Sequence, residues 1–263
     1  MITIKTKDEI EKIRAAGAIS AELFDYMKQY IQEGITTLEL DKIAEDFILK
    51  HGAKPSFKNY EGFPGSICAS VNEEIIHGIP SKRKLKNGDI FTIDVGVLLH
   101  GFISDSARTY PVGKVSDAHK KLMERTEAML YKAIMQVAPN NTINDVGGVI
   151  EDMARKYGYG LVYDYCGHGV GYKNHEDPQI SNFRCKDGRK KLRAGMVIAI
   201  EPMINLGKDG DITLDDGWTV VTPDYKYSCH WENTVAVTED GFDILTIHPG
   251  TQNELIAKFS KYK

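Results

Sequence analysis

The sequence predicts an α+β protein: one domain built from two similar halves of helices and strands. Two strand-like stretches carry this reading: Leu85-Lys-Asn-Gly-Asp-Ile-Phe-Thr-Ile-Asp94 and Leu192-Arg-Ala-Gly-Met-Val-Ile-Ala-Ile-Glu201. Each runs leucine, base, any residue, glycine, an apolar run and then an acid, and the two lie 107 residues apart. A second observation is a helix pattern repeated at an offset of 106, which matches Thr36 to Thr142, Leu40 to Val146, Glu45 to Glu151 and Gly52 to Gly158. The third is a hairpin pattern on either side of His100-Gly101.

Taken in order, Thr6 to Gln32 reads as an amphipathic helix with Ile10, Ile13, Leu23 and Met27 on one side. Thr37 to Lys50 reads as a second, stopped by His51-Gly52 in the manner of a C-cap. Strands are expected at Ser66–Val71, Ile90–Leu98 and Phe102–Tyr110, the last two forming the hairpin. The second half repeats the plan, with helices over Asp117–Val137 and Thr142–Tyr157. Its strands are expected at Leu161–Tyr165, Met196–Glu201, Trp218–Thr222 and Cys229–Thr238. Asn253 to Lys263 reads as a short surface helix or tail. No Pro/Gly/Ser-rich linker separates the halves, so one domain over 1–263 is favoured, with halves of about 1–113 and 114–250.

With 33 basic and 37 acidic side chains the formal charge is −4, which argues against stable binding to nucleic acid or an anionic membrane. The four cysteines form no Cys-x-x-Cys pair, so a zinc ribbon or thioredoxin-type motif is excluded. The start lacks the hydrophobic core of a signal peptide, and no run of about 18 apolar residues could span a membrane. A cytoplasmic protein with reduced thiols is the expectation.

Chemistry enters through carboxylates in apolar strands, which are costly to bury without a partner. Strand side chains alternate faces, so a turn centred on Leu99-His100 sets Asp94 directly opposite Asp105. A turn centred on His100-Gly101 makes them diagonal neighbours on one face. Either register holds the two acids within ~8 Å, where a divalent cation turns repulsion into attraction. Glu201 ends the second twin strand before Pro202, and Glu232 sits in the pattern His230-Trp-Glu-Asn-Thr-Val-Ala-Val237. In Gly167-His168-Gly169-Val170-Gly171 one imidazole is surrounded by residues without bulk, which would let a metal or a substrate backbone approach. His175 follows seven residues later and His77 precedes Gly78. His51, His100, His119, His230 and His248 lack comparable context and receive no role.

The residues Tyr165-Cys-Gly-His-Gly-Val-Gly171 with His175, Gly88–Asp94 with Asp105, Ile200-Glu-Pro-Met203 and Trp231-Glu-Asn-Thr234 resemble those of methionine aminopeptidases, from Ile4 to about Leu245. The short segment from His168 to Glu201 resembles the type I enzymes in their short bacterial form. The resemblance implies the duplicated "pita-bread" fold of the creatinase and aminopeptidase group, two halves related by a pseudo-twofold around a central antiparallel sheet covered by helices. It implies that Asp94, Asp105, His168, Glu201 and Glu232 hold two divalent ions, with Asp105 and Glu232 bridging, and that a metal-activated water attacks the scissile carbonyl. A donor set rich in oxygen with one imidazole suits Mn²⁺, Fe²⁺ or Co²⁺. By the same resemblance Glu201 shuttles a proton, His175 stabilises the oxyanion and His77 binds the backbone of the second residue. Tyr60, Phe63, Cys68, His77 and Trp218 would line an apolar methionine pocket.

The implied substrate is the N-terminus of a nascent polypeptide with a small second residue. The implied protein is a monomer, with ribosome contact at most transient. Phe57, Glu61, Asn174 and Asn233 depart from residues common in the family and bear on the pocket rim. An Xaa-Pro peptidase on the same fold is the competing enzyme reading, and a non-catalytic binding module is the reading from another class.

Overall fold

The computed structural model describes residues 1–262. Helices α1 (Lys7–Met27) and α2 (Thr37–Lys50) open the chain. Each begins on a reciprocal cap, in which Glu9 or Glu39 accepts the N–H of Thr6 or Thr36 and donates its own N–H to the threonine hydroxyl. Strands β1 (Lys54–Pro55), β2 (Cys68–Val71) and β3 (Glu74–Ile76) lead into the long hairpin of β4 (Ile90–Leu99) and β5 (Phe102–Pro111).

Helices α3 (Asp117–Ile134) and α4 (Ile143–Tyr157) start the second half. They are followed by β6 (Gly160–Leu161), β7 (Gly167–Gly169), β8 (Glu176–Ile180), β9 (Val197–Ile200) and β10 (Met203–Asn205). The chain closes with β11 (Ile212–Thr213), β12 (Val220–Val221), β13 (Ser228–His230), β14 (Asn233–Val237), β15 (Phe242–Ile244) and α5 (Gln252–Ser260). Helix α5 begins one residue before the short terminal helix or tail expected over Asn253 to Lys263, of which Lys263 lies outside the described residues.

All strand pairs are antiparallel, and they form two main sheets. One has the order β1-β4-β2 with β5 against β4, and the other has the order β15-β14-β9-β7-β8. Two small three-stranded sheets, β13-β10-β6 and β11-β12-β3, complete the architecture. Alternation along β4 turns Phe91, Ile93, Val95 and Val97 into a core with Leu23, Met27, Leu40 and Ile48 of α1 and α2. Ile198 and Ile200 of β9 likewise pack with Leu122, Met129, Val146 and Ile150 of α3 and α4. Each sheet therefore has one face under helices, and Asp94 projects from the other.

Repeated local features mark equivalent points of the two halves. Thr36 bridges to Lys84 as Thr142 does to Lys191, and Gly52 and Gly158 leave α2 and α4 with φ of 73° and 70°. The structure shortens several expected elements. Helix α1 ends at Met27, the strand expected at 161–165 keeps only Leu161, paired as part of Gly160–Leu161, and that at 218–222 keeps only Val220–Val221. The strand expected at 229–238 is two strands, broken at Trp231-Glu232. The break has a structural cause, because Glu232 leaves its own sheet to pair with the other.

That pairing forms a seam between the main sheets. Glu232 N–H donates to Ala107 O at 3.0 Å and Ala107 N–H returns the bond to Glu232 O at 3.4 Å. Beyond it the sheets diverge and hydroxyls fill the gap. Thr234 Oγ1 accepts from Asp105 N–H at 2.9 Å and donates to Asp105 O at 2.8 Å. Thr109 Oγ1 does the same for His230, donating to its O at 2.8 Å and accepting its N–H at 3.3 Å. Among the described residues, no helix is long and apolar enough to cross a membrane.

Candidate metal centre and active site

The seam assembles the acids. Cys68 lies opposite Asp94 in the β2–β4 register, Asp94 opposite Ala107 in the hairpin, and Ala107 pairs with Glu232. These four side chains form one row on one face, and the Ala107 methyl leaves room between the acids. Asp105, opposite Gly96, shares the face two residues along β5, so the turn is His100-Gly101 and the two acids are diagonal neighbours. The last residue pair of β9 and β14 is Ile200 with Asn233, which brings Glu201 and Glu232 side by side just past it.

His168 arrives on β7, which pairs with β9 through Gly169 and Ile198. Its flanking glycines are there for a reason the sequence did not reveal. A Cβ on Gly167 would lie 2.3 Å from Ala199 O, and one on Gly169 would lie 2.3 Å from Asp177 O. They permit close strand packing; access to the imidazole comes from the open face of the sheet.

The His168 Nδ1 sits 2.9 Å from the Gly169 carbonyl. A carbonyl only accepts, so the neutral ring carries its proton there and turns a bare Nε2 toward Glu201 Oε1 at 3.5 Å and Asp105 Oδ2 at 3.9 Å. Burial pushes the imidazole down to about 3, so it stays neutral. A lone pair facing two carboxylates is repulsive unless a proton or a cation intervenes.

The acids show the same tension. Burial, reinforced by neighbouring carboxylates, raises Asp94, Glu201 and Glu232 well above the ordinary range, and burial raises Asp105 to about 7. Among the described residues, Asp94 Oδ1, Asp105 Oδ1 and Glu232 Oε1 are buried without a hydrogen-bond partner. Ligand atoms of Asp105, His168 and Glu232 all lie within 4.8 Å of one another. These orphaned oxygens, and a proton-free nitrogen aimed at them, fit a divalent metal centre.

A cavity of about 130 Å³ opens onto the cluster. It is lined by all five proposed ligands and by the six other residues named from the sequence, Tyr60, Phe63, Cys68, His77, His175 and Trp218. Apolar cavities of about 150 Å³ accept a benzene ring, so this one suits a single thioether side chain. Phe63 meets Trp218 edge-on at 5.2 Å, and His77 meets Trp218 at 6.2 Å and Tyr165 at 5.6 Å. The Cys68 thiol is raised well above its usual value, mainly by burial, and so remains protonated as part of the wall.

His175 Nδ1 lies 3.1 Å from the Tyr60 hydroxyl, and its ring centroid is 4.5 Å from that of His168. His77 adopts a left-handed φ of 58°, an unfavourable backbone state for a residue with a Cβ that fixes where its ring points. Burial, helped by His175, holds His77 down to about 4.

The departures fall in two places. Phe57 and Glu61 line the cavity with the other residues. Asn174 and Asn233 face away: Asn174 donates to Ser56 O, and Asn233 Oδ1 accepts from Arg108 and Thr246. Sequence reasoning missed His230, whose Nε2 lies 3.6 Å from Glu201 Oε2 at 1% exposure. Its position two residues before Glu232 was the available signal.

Residues 11–239 match the metallopeptidase family M24. The chain belongs to metallopeptidase family M24. Within M24 its relatives are type I, bacterial-like methionine aminopeptidases. It is 49% identical over 247 residues to the methionine aminopeptidase of Clostridium perfringens, covering 94% of this chain and 99% of that one. The crystal structure of methionine aminopeptidase from Rickettsia prowazekii superposes with a TM-score of 0.92 at 42% identity, over 94% and 100% of the two chains. The prolidase from Pyrococcus furiosus superposes with a TM-score of 0.77 at 29% identity, and this chain spans only 65% of its length.

Proposed function

We propose that this M24 chain removes the N-terminal methionine from polypeptides, with preference for a small second residue. One observation carries the reading: the proton-free Nε2 of His168 faces buried carboxylates at the floor of a cavity sized for one apolar side chain. Identity of 40–50% to proteins named methionine aminopeptidase supports it.

Asp94, Asp105, His168, Glu201 and Glu232 would hold two divalent cations, whose charge the four anionic ligands balance. Mn²⁺, Fe²⁺ and Co²⁺ suit this donor set. When bound, such ions lower the pKa of a water and polarise a carbonyl. The chain supplies the rest. Phe63, Trp218, Tyr60 and Cys68 take the methionine side chain and exclude water. Glu201, whose raised pKa reflects burial beside other carboxylates, accepts a proton and returns it to the leaving amine. His175, held by Tyr60 and kept neutral by burial, donates to the developing oxyanion. His77, fixed by its backbone, holds the peptide group of the second residue.

The site draws on both halves, 1–113 and 114–250, so we treat residues 1–263 as one catalytic unit. We place its action in the cytoplasm, as a monomer with no more than transient ribosome contact. The test is a comparison of Met-Ala-Ser with an Xaa-Pro dipeptide. Turnover of Met-Ala-Ser alone is expected, and turnover of only the proline substrate would replace this reading with that of an Xaa-Pro peptidase.

A further inference from the structure

We propose that His230 is a positioning residue for Glu201, holding its carboxylate from the side opposite His168. The inference rests on the reading above, in which Glu201 serves both as ligand and as proton carrier.

His230 closes strand β13, where it pairs with Met203, two residues beyond Glu201. Both of its backbone polar groups are pinned by the Thr109 hydroxyl, so the ring has little freedom to relocate. The side chain is 1% exposed, and neither ring nitrogen has a hydrogen-bond partner among the described residues. Such an orphan is costly in a protein interior, and an apolar side chain of equal size would fill the space without the penalty.

Its Nε2 lies 3.6 Å from Glu201 Oε2, while Glu201 Oε1 lies 3.5 Å from His168 Nε2. Glu201 is thus bracketed by two imidazoles, one on each oxygen. The Glu201 backbone is fixed separately, its carbonyl accepting from Asn182 Nδ2 at 2.9 Å. The part of Glu201 left to position is therefore the carboxylate, and a shift of a few tenths of an ångström makes the His230 contact a hydrogen bond. Ligand atoms of Asp105, His168 and Glu232 gather without His230, so its effect is exerted through Glu201. A donor on Oε2 leaves Oε1 for the cation and keeps the carboxylate in one rotamer during proton transfer.

The test compares His230→Leu, which keeps the volume and removes the donor, with His230→Gln, which restores a donor of similar reach. His230→Ala serves in place of the leucine variant if that protein does not fold. Each is titrated with Co²⁺ from the metal-free state, read by binding isotherm and visible absorption, and assayed on Met-Ala-Ser. For His230→Leu we expect an altered Co²⁺ spectrum and kcat down about 10–100-fold with KM nearly unchanged, as for other residues that orient metal ligands. His230→Gln should restore most of kcat and the parental spectrum.

A leucine variant with parental spectrum and kcat would overturn the proposal, as would a folded glutamine variant as impaired as leucine. Should the parent protein fail to turn over Met-Ala-Ser, the functional reading fails instead. The Co²⁺ spectra would still decide the role of His230.

Discussion

Asp94 and Glu201 occupy the same place in two copies of one strand, yet their neighbours differ. Asp94 stands in a row with Cys68 and Ala107, next to a thiol that stays protonated. Glu201 stands between the imidazoles of His168 and His230. The same backbone therefore gives the two carboxylates different surroundings, which suits the proposed roles of plain ligand for Asp94 and proton carrier for Glu201. The His168 Nε2 is the neutral donor atom of the cluster. His168→Ala should cut turnover of Met-Ala-Ser by more than about 100-fold, beyond the loss typical of residues that only orient ligands. Metal analysis beside the assay checks it: full metal content with unchanged rate would remove His168 from the site. The acids were legible in the sequence as carboxylates in apolar strands, which demand a partner, whereas the full ligand set and the cavity wall came from the resemblance to methionine aminopeptidases. The one signal for His230 was its place two residues before Glu232, which alone does not set it apart from a structural histidine in a strand. The glycines beside His168 were seen but misread, since what crowds them, Ala199 on β9 and Asp177 on β8, is set by strand pairing that the sequence did not reveal.

Among the elements, the seam between β5 and β14 matters most for the site. The sheets separate beyond Ala107 and Glu232, and Thr234 and Thr109 complete the hydrogen bonding with their hydroxyls. Thr234 is fully buried, and its hydroxyl serves both backbone groups of Asp105. Thr234→Val conserves shape and leaves those groups unpaired, at a cost of about 1–3 kcal/mol. Denaturant unfolding of the metal-free protein measures it, and a change within experimental scatter would show that the seam does not depend on this hydroxyl. The long helices and the hairpin were legible from periodicity, caps and the Gly101 turn. The break between β13 and β14 was not, because the residues on either side of it read as one continuous apolar strand. Strands β7 and β8 were also hidden: one is glycine-flanked, the other contains Pro178, and their pairing is decided by tertiary neighbours.

For the molecule as a whole, duplication sets two sheets edge to edge and concentrates four carboxylates on one face. Without a cation this arrangement opposes folding, with a sign that depends on pH. The acids have folded pKa values above their unfolded values, with Asp105 at about 7 and Asp94, Glu201 and Glu232 raised well above normal. The folded state then holds more protons than the unfolded chain, so stability is lost as pH rises through the raised values. His168, His77 and His230 are depressed by burial and act oppositely, but only below their unfolded value of about 6.5. The Tm of metal-free protein should therefore fall between about pH 6.5 and 8.5, and divalent metal should abolish that fall. Calorimetry across that range checks it, and a Tm that rises with pH in the metal-free protein would contradict the assignment.

The most direct measurement of the central claim adds Mn²⁺, Fe²⁺ or Co²⁺ to metal-free protein without oxygen, with occupancy and hydrolysis of Met-Ala-Ser followed together. The account predicts no turnover without metal, and activity that appears as up to two ions bind. Undiminished turnover after metal removal, or full occupancy with no release of methionine, would contradict it.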